Sequence, residues 1–240
     1  MRYRFAFVLF VLVIAAVCAR LGFWQLDRAA QKTALMEQYH HNQQAPLLQI
    51  GEVNDLVNIS DWRYRRVQMQ GHFDNAHSFL LDNKLRDGVP GYEVITPFIL
   101  ENTPQIVLIN RGWIERGATR QIVPAIATVD HLVLLTVLMY FPDKHPFLLG
   151  ENIEAPGQWP ARIQQIDLVQ MGQAMGKTVE PWLGLLVDDK WSTGFEQDWQ
   201  INTRMPPSKH HGYAVQWFGL AIMLLVLISI FYWKTRTHEQ

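Results

Sequence analysis

Two long apolar segments lie near the ends of the chain, and a mostly polar stretch separates them. The second segment, residues 214–233, contains no formally charged side chain. At 1.5 Å per residue, a helix of this length measures about 30 Å, the thickness of a bilayer core. The first segment, residues 5–24, is apolar apart from Arg20, whose long side chain can reach the interface. We therefore predict transmembrane helices over residues 5–24 and 214–233.

The N-terminal segment also has a second interpretation. Residues 5–19 follow two arginines, and Val17-Cys18-Ala19 resembles a cleavage site, as in a secretory signal peptide. The apolar pattern nevertheless continues past Arg20, and Trp24 stands where interfacial aromatic residues are enriched. These features favour a retained span, with a cleaved signal peptide as the alternative.

Between the two segments, the pattern is mainly that of β-strands. Residues 67–73 alternate apolar and polar side chains, as in a strand with one buried face. The same criteria predict strands over 78–82, 92–100, 105–110, 131–141, 181–188 and 195–201, helix over 26–44 and 166–175, and loops over 45–61, 83–91 and 142–160.

These elements predict an α+β protein in which two transmembrane helices, N- and C-terminal, flank one β-rich soluble domain. The predicted boundaries are helix 5–24, an extracytoplasmic domain over 25–212, helix 214–233 and a cytoplasmic tail over 234–240. The soluble domain predicted over residues 25–212 is long enough to bury a hydrophobic core of its own.

The distribution of cations gives a weak orientation signal. Short basic tails precede the first span and follow the second, which favours cytoplasmic termini and a soluble domain on the periplasmic side. Cations also flank the spans on the loop side, at Arg20, Arg28, Lys32, Arg204 and Lys209. No Arg-rich transit sequence precedes the first span. We therefore predict a multi-pass protein of a bacterial inner membrane.

Composition excludes several classes of function. A formal net charge of -1 and the absence of a basic run argue against a nucleic-acid partner. Cys18 is the only cysteine, so the chain can form neither an internal disulfide nor a Cys-X-X-Cys redox pair. No nucleophile elbow, P-loop, dinucleotide-binding turn or zinc-protease helix occurs. These catalytic constellations are therefore absent from the sequence.

Candidate chemistry lies at the start of the second span. On a helix, His210, Tyr213, Ala214 and Trp217 share one face because they are three, four and seven residues apart. A neutral imidazole there can ligate a metal or haem iron, or carry a proton. Histidine, tyrosine and tryptophan are also common at a membrane interface, so an interfacial role is the alternative.

A second polar group lies where the first span ends. Trp24 and Gln25 are followed by Asp27 and Arg28. A glutamine and an aspartate this close to an apolar phase need partners, and Arg28 is one candidate. The ordinary polarity of a helix end is the alternative. If the two spans pair, this segment lies near His210.

Several blocks of the sequence, in order along the chain, match a known set of signatures. They are Gly22, Trp24, Gln25, Arg28 and Lys32; Arg66-Val67, Gly71 and Phe73; Pro90-Gly91-Tyr92, Val94, Thr96 and Pro97; Asn110-Arg111-Gly112-Trp113; and His210, Tyr213, Ala214 and Trp217-Phe218. Together with the two-span topology, these blocks resemble the Surfeit locus protein 1 family of cytochrome c oxidase assembly factors, and the resemblance covers the whole chain.

The chain departs from the family pattern near the candidate site. Lys209 stands where the family usually has an asparagine, and His211 replaces an apolar residue. Glu115 stands where a proline often follows the Arg-Gly-Trp block. The choice between His210 and His211 is therefore open, although His210 keeps the three-residue spacing to Tyr213.

The resemblance implies a non-enzymatic, membrane-anchored assembly factor for a haem-copper terminal oxidase. Such a protein would bind haem a transiently and assist its insertion into subunit I, with haem a synthase as a further candidate partner and membrane lipid around its helices. Lys209 and Arg204 would meet the haem propionates. The implied site comprises His210 as axial ligand with His211 as alternative, Tyr213 and Trp217 packing on the ring, and Trp24 with Gln25 as the opposing wall.

Two other functions can be weighed. A scaffold that holds subunit I without a cofactor would use exposed loops at residues 89–92 and 111–113 as its partner surface. A membrane-bound hydrolase with an unrecognised carboxylate pair is disfavoured because no nucleophile motif is present.

Overall fold

In the computed structural model, the described residues are 2–53, 56, 58–117, 119, 122–142, 152–155, 157–187, 191, 195–199 and 205–237. The helices among them are α1 Arg2–Gln44, α2 Ile59–Trp62, α3 Leu168–Met175 and α4 Pro207–Thr237. The strands are β1 Leu48–Gln49, β2 Arg66–Phe73, β3 Phe79–Arg86, β4 Val89–Leu100, β5 Ile106–Glu115, β6 Val133–Tyr140, β7 Ile153–Glu154, β8 Ala161–Ile163 and β9 Leu183–Leu186.

The chain divides into two compact units. A helical unit comprises Met1–Gln38 with Ile201–Gln240, and a β-rich unit comprises Tyr39–Gln200. This arrangement confirms the predicted fold class, α+β with terminal apolar helices around a β-rich domain. The membrane boundaries drawn from the sequence at residues 24/25 and 212/214 remain predictions.

The two terminal helices are long and apolar. α1 runs for 43 residues without a break, which confirms that the polar residues 26–44 continue the first helix. α4 runs for 31 residues. Both helices are long and apolar enough to cross a membrane. Their large apolar side chains are mostly exposed, among them Phe10, Phe23, Val215 and Ile222. Such exposure is expected of a helix surrounded by lipid.

Within the helical unit, α1 and α4 pack against each other in antiparallel orientation. Phe7 lies 5.7 Å from Phe231, and Phe23 lies 5.1 Å from Phe218, measured between ring centroids. Buried residues recur at helical spacing on each helix, three or four positions apart on α1 and four or seven apart on α4. They are Ala15, Cys18, Gly22, Gln25 and Ala29 on α1, and His210, Ala214 and Ala221 on α4. We call these buried positions the helix seam. Most are small, which lets two helix backbones approach closely.

The β-rich unit is built on a ring of strands. β2 pairs antiparallel with β6, β6 pairs antiparallel with β9, and β9 pairs parallel with β5. β5 pairs antiparallel with β4, and the end of β4 returns to β2 through Phe73↔Phe98 and Gly71↔Leu100. The ring is therefore closed. The first part of β4 pairs with β3, which continues the sheet outward through β8 and β7.

A hydrophobic core fills the ring. Every ring strand contributes to one buried cluster, because alternate residues of a strand point to the same side. Its members include Val67 and Met69 from β2, Phe98 from β4, Ile109 from β5, Leu135 and Val137 from β6, and Leu186 from β9. Trp182, 1% exposed, packs into the same cluster just before β9.

Most of the predicted strands are present. β2, the β4–β5 hairpin, β6 and β9 lie where the alternating pattern predicted them, and α3 lies within the predicted helix 166–175. Asp167 begins α3 by accepting a hydrogen bond from the backbone N–H of Gln170, and Gly176 ends it at a φ of 64°.

Several predicted elements were wrong. The predicted loop 45–61 contains β1 and the start of α2, and the predicted loop 142–160 contains β7. Residues 83–91 are not a loop, because β3 extends to Arg86 and β4 begins at Val89. The turn is only Asp87-Gly88, both at positive φ, as a tight hairpin requires. Residues 195–199 form no strand beyond one bridge between Glu196 and Trp113, and residues 200–201 lie outside the described part of the chain.

Candidate functional site

A buried pair of polar side chains joins the two helices of the helical unit. Nδ1 of His210 lies 2.7 Å from Oε1 of Gln25, although the two residues are 185 positions apart in the chain. His210 is 7% exposed and Gln25 is 9% exposed. Both lie in the helix seam, so the pair is a polar contact in otherwise apolar surroundings. A buried carboxamide or imidazole is costly without such a partner.

The contact favours one tautomer of the imidazole. In this structure Oε1 of the Gln25 carboxamide faces Nδ1 of His210, and an amide oxygen only accepts hydrogen bonds. With the carboxamide in this orientation, the matching tautomer of His210 has its hydrogen on Nδ1 and donates a hydrogen bond to Gln25. Nε2 then keeps its lone pair and is the nitrogen able to bind a metal. Metal-binding histidines usually have this arrangement, with the second ring nitrogen donating to an oxygen. The donor set therefore fits one axial ligand of a haem iron.

The neighbours of His210 on α4 have different surroundings. Lys209 and His211 are both exposed, and His211 has no hydrogen-bond partner among the described residues. Arg204, predicted to lie near the site, is outside the described residues. Of the two adjacent histidines, only His210 is buried and held by a hydrogen bond.

The predicted aromatic residues of α4 lie only partly on the buried face. Ala214, a member of the helix seam, is 1% exposed, and Trp217 is half-buried. Tyr213 is 43% exposed and lies to the side of the seam. Trp217 is therefore more buried than Tyr213, whose side chain is largely exposed.

On α1, Trp24 and Gln25, which were predicted to form the opposing wall of the site, differ in exposure. Gln25 faces α4, whereas Trp24 is 47% exposed. The guanidinium of Arg28 lies over the Trp24 ring at 5.6 Å and donates a hydrogen bond to Gln31. The suggestion that Arg28 is the partner of Gln25 was therefore wrong, because that partner is His210.

A tight aromatic contact adjoins the polar pair. Gly22 lies one turn before Gln25, and a Cβ added to it would lie 2.7 Å from the ring of Phe218. The ring of Phe23 meets the same phenyl group edge-on. Sequence reasoning did not identify this contact. Gly22 and Phe218 both belong to the family blocks, but no local pattern indicates that the two residues touch.

The β-rich unit corrects the surface proposed for a cofactor-free scaffold. Residues 89–92 and 111–113 are not exposed loops, because they belong to β4 and β5. Val89 and Pro90 are exposed, but Tyr92, Arg111 and Trp113 are buried. These motifs are rich in glycine and aromatic residues because they pack against each other.

Among the described residues of the β-rich unit, Arg111 is the most buried cation. It is 0% exposed, and its guanidinium carbon lies 4.9 Å from the ring centroid of Phe73 and 4.9 Å from that of Phe195. Burial lowers the pKa of Arg111 to about 10, which still leaves it charged at neutral pH. The residue holds two aromatic rings together in the interior, so it is not a surface contact for an anion or a partner.

An ion-pair cluster lies in the turn between β2 and β3. Oδ2 of Asp74 is 2.8 Å from Nδ1 of His77 and 2.9 Å from Nζ of Lys177. Burial alone would raise the pKa of Asp74, but the hydrogen bonds from Lys177 and His77 outweigh burial and hold that pKa below its ordinary value. Within the part of the chain that the structure describes, no three His, Cys, Asp or Glu side chains converge to hold a metal ion.

Comparison with known proteins identifies similar sequences over most of the chain. The sequence profile described as the SURF1 family matches residues 12–222. A SURF1-like protein of Rickettsia felis is 26% identical over 235 residues, which cover 93% of this chain and 95% of the relative. Surfeit locus protein 1 of Mus musculus is 26% identical over 231 residues, 88% of this chain and 71% of the relative.

A yeast protein matches a shorter part. The cytochrome oxidase assembly protein SHY1 of Saccharomyces cerevisiae is 31% identical over 114 residues, which cover 48% of this chain and 28% of the relative. The range matched by the family profile includes both Gln25 and His210.

Proposed function

Because the chain belongs to the SURF1 family, we propose that it is a membrane-anchored assembly factor for a haem-copper terminal oxidase, cytochrome c oxidase. In this proposal it acts without catalysis, binds haem a and assists the insertion of haem a into subunit I. The yeast relative is named a cytochrome oxidase assembly protein, which supports the oxidase as the client. The buried His210–Gln25 pair is the observation that carries the haem-binding part of the proposal.

The chemistry of the seam suits haem a. When bound, haem a supplies an iron that takes an axial nitrogen ligand. His210 would offer Nε2, because Nδ1 is engaged by Gln25. Trp217 and Tyr213 would pack on the ring, and the exposed ammonium group of Lys209 would meet a propionate. The exposed apolar surfaces of α1 and α4 place an isoprenoid tail in the same phase as lipid.

The proposed location is a bacterial inner membrane. Two spanning helices put both termini on one side, and the basic tails at Arg2, Arg4, Lys234 and Arg236 favour the cytoplasm for that side. The β-rich unit would then face the periplasm. Rickettsial relatives match this chain over nearly its whole length, which supports a bacterial setting. Subunit I is the proposed protein partner, with haem a synthase as a second.

The experiment that tests haem binding is an absorption spectrum of the detergent-purified protein, produced in cells that make haem a. Wild type should carry the haem a spectrum, and His210→Ala should lose it. His211→Ala is the matched control, because it removes an identical side chain from the next position, where it is exposed. That variant should keep the spectrum.

Two results would contradict the haem-binding proposal. One is a colourless wild-type protein under these conditions. The other is an unchanged haem spectrum in the His210→Ala/His211→Ala double variant. A colourless protein that still co-purifies with subunit I would instead support the cofactor-free scaffold, with a partner surface other than the buried residues 111–113.

A further inference from the structure

Gln25 stands out because of its position in the fold. It lies within α1, next to the apolar segment, and is 9% exposed. A carboxamide placed there loses its hydration and needs a hydrogen bond in return. The bond goes to His210 on α4. A leucine at the same position would extend the apolar seam without this requirement, so the helix pair has no packing need for a glutamine.

Two histidines are adjacent in the chain, and only the first of them contacts Gln25. His210 is buried and donates from Nδ1 to Gln25, whereas His211 is exposed and has no hydrogen-bond partner among the described residues. A neutral imidazole exchanges between two tautomers unless a hydrogen bond fixes one of them. The contact with Gln25 therefore gives His210 a defined tautomer and a defined ring orientation, which His211 lacks.

We infer that Gln25 is a positioning residue, which selects His210 over His211 and makes Nε2 of His210 the metal-binding atom. The inference deepens the proposed haem a site and rests on it for the identity of the ligand. It differs from the sequence-based assignment of Gln25 to the wall of the site, because Gln25 acts through His210. The tautomer itself exists without haem and can be measured in the haem-free protein.

The inference predicts different effects for two substitutions. Gln25→Leu keeps a similar volume but removes the acceptor, so His210 loses its fixed tautomer. Removing an outer hydrogen-bond partner of a metal ligand typically weakens metal binding about 10- to 100-fold, and we expect a loss of this size in haem a affinity. Gln25→Glu keeps an acceptor at the same distance, so the tautomer and the affinity should survive. A carboxylate also makes the imidazole a stronger electron donor, which should lower the reduction potential of the bound iron.

The chain offers a matched control on the partner helix. Gln216 lies in α4, and its exposed side chain makes no hydrogen bond within the described residues. Gln216→Leu therefore removes a glutamine from the same helix pair without touching His210. It should change neither the tautomer nor the affinity.

The test combines two measurements on the full-length protein in detergent. Nitrogen NMR of protein labelled at histidine reports the tautomer without haem, with the His210 signals assigned through His210→Ala. Titration with haem a then gives the dissociation constant. Three proteins should show the Nδ1–H tautomer of His210 and equal haem a affinity: wild type, Gln25→Glu and Gln216→Leu. Gln25→Leu should show a mixture of the two tautomers and should be the one variant that binds haem a more weakly.

The contrary outcomes separate the two proposals. An unchanged His210 tautomer in Gln25→Leu would overturn the positioning role, and so would a changed tautomer with unchanged haem a affinity. Wild-type protein that binds no haem a, but shows the tautomer change in Gln25→Leu, would overturn the proposed haem function and leave Gln25 as the residue that orients His210.

Discussion

Trp113 of β5 lies directly over Gly91 of β4, where a Cβ on Gly91 would collide with the indole ring. The indole is 6% exposed, and its Nε1 donates to the backbone oxygen of Lys84 on β3 at 3.2 Å. One side chain thereby ties three consecutive strands together. The Pro-Gly-Tyr and Arg-Gly-Trp motifs are two halves of one packing arrangement, in which the first supplies the space and the second the ring.

Gly91→Ala should destabilise the β-rich unit. The added methyl group must displace the indole of Trp113 or the carbonyl of Ile114. Overpacking of this kind costs about 1–3 kcal/mol, which corresponds to a decrease of roughly 2–12 °C in Tm for a chain of this size. Thermal unfolding followed by tryptophan fluorescence measures the change. Gly51→Ala is the control, because a Cβ there meets no atom within 4 Å; equal Tm values for the two variants would refute the packing argument.

Arg111→Lys should be strongly destabilising, although the substitution keeps the positive charge. The planar guanidinium stacks between Phe73 and Phe195, which a compact ammonium group cannot reproduce. A desolvated cation–π contact contributes about 2 kcal/mol, so losing two should lower Tm clearly. Arg86→Lys provides the comparison, since Arg86 lies 5.9 Å from the Trp113 ring and pairs with the largely exposed Glu196. Arg86→Lys should lower the free energy of unfolding by about 1 kcal/mol or less. Comparable losses in the two variants would contradict the role assigned to Arg111.

Asp74 should make stability fall in acid. Its pKa in the folded protein lies below its ordinary value because Lys177 and His77 donate to the carboxylate, despite the opposing effect of burial. Its contribution is therefore fully present above the unfolded pKa, about 3.9, and is lost as pH falls through the lower folded pKa.

Asp74→Asn should accordingly be less stable than wild type at neutral pH, and the difference should shrink as pH falls below about 4. Thermal unfolding measured from neutral pH to below pH 4 follows this convergence. Glu115→Gln, which neutralises an exposed carboxylate, should parallel wild type throughout. A constant difference between wild type and Asp74→Asn at every pH would contradict the linkage.

Gly22→Ala should weaken the pairing of α1 with α4. Its Cβ would lie 2.7 Å from the ring of Phe218, which is held in turn by Phe23. We expect a loss of about 1–3 kcal/mol from overpacking and, since the same helices hold His210 against Gln25, weaker haem a binding. Gly219→Ala on α4 is the control, because its Cβ meets nothing within 4 Å. Absorption spectra and thermal unfolding of both variants in detergent make the comparison, and identical behaviour would exclude a role for the Gly22 contact.

Local periodicity predicted most helices and strands, but not their closure into a ring. The alternation in residues 67–73 and the capped helix 168–175 are patterns of neighbouring residues, which the sequence displays directly. Closure depends on the end of β4 reaching β2 through Phe73 and Phe98. That pairing depends on strand register and twist, which no short window of sequence contains.

The candidate site was predictable only in part for the same reason. The family blocks brought Gln25 and His210 into one hypothesis, while Arg28, which is close in sequence, was also a candidate partner of Gln25. The true partner follows from the register of two antiparallel helices, whose residues are 185 positions apart. The hairpin motifs were misassigned as loops because glycine is frequent in turns, whereas Gly91 serves to admit a ring from the next strand.

Cys18 lies in the helix seam and is 6% exposed. Because the chain has no other thiol, a membrane-permeable maleimide can modify it at Cys18 alone. The rate of that reaction measures how accessible the helix seam is. No engineered label is needed: slow alkylation reports a closed pair, and faster alkylation reports an open one. The wild-type protein thus contains its own reporter for whether the two helices part when a ligand or a client arrives.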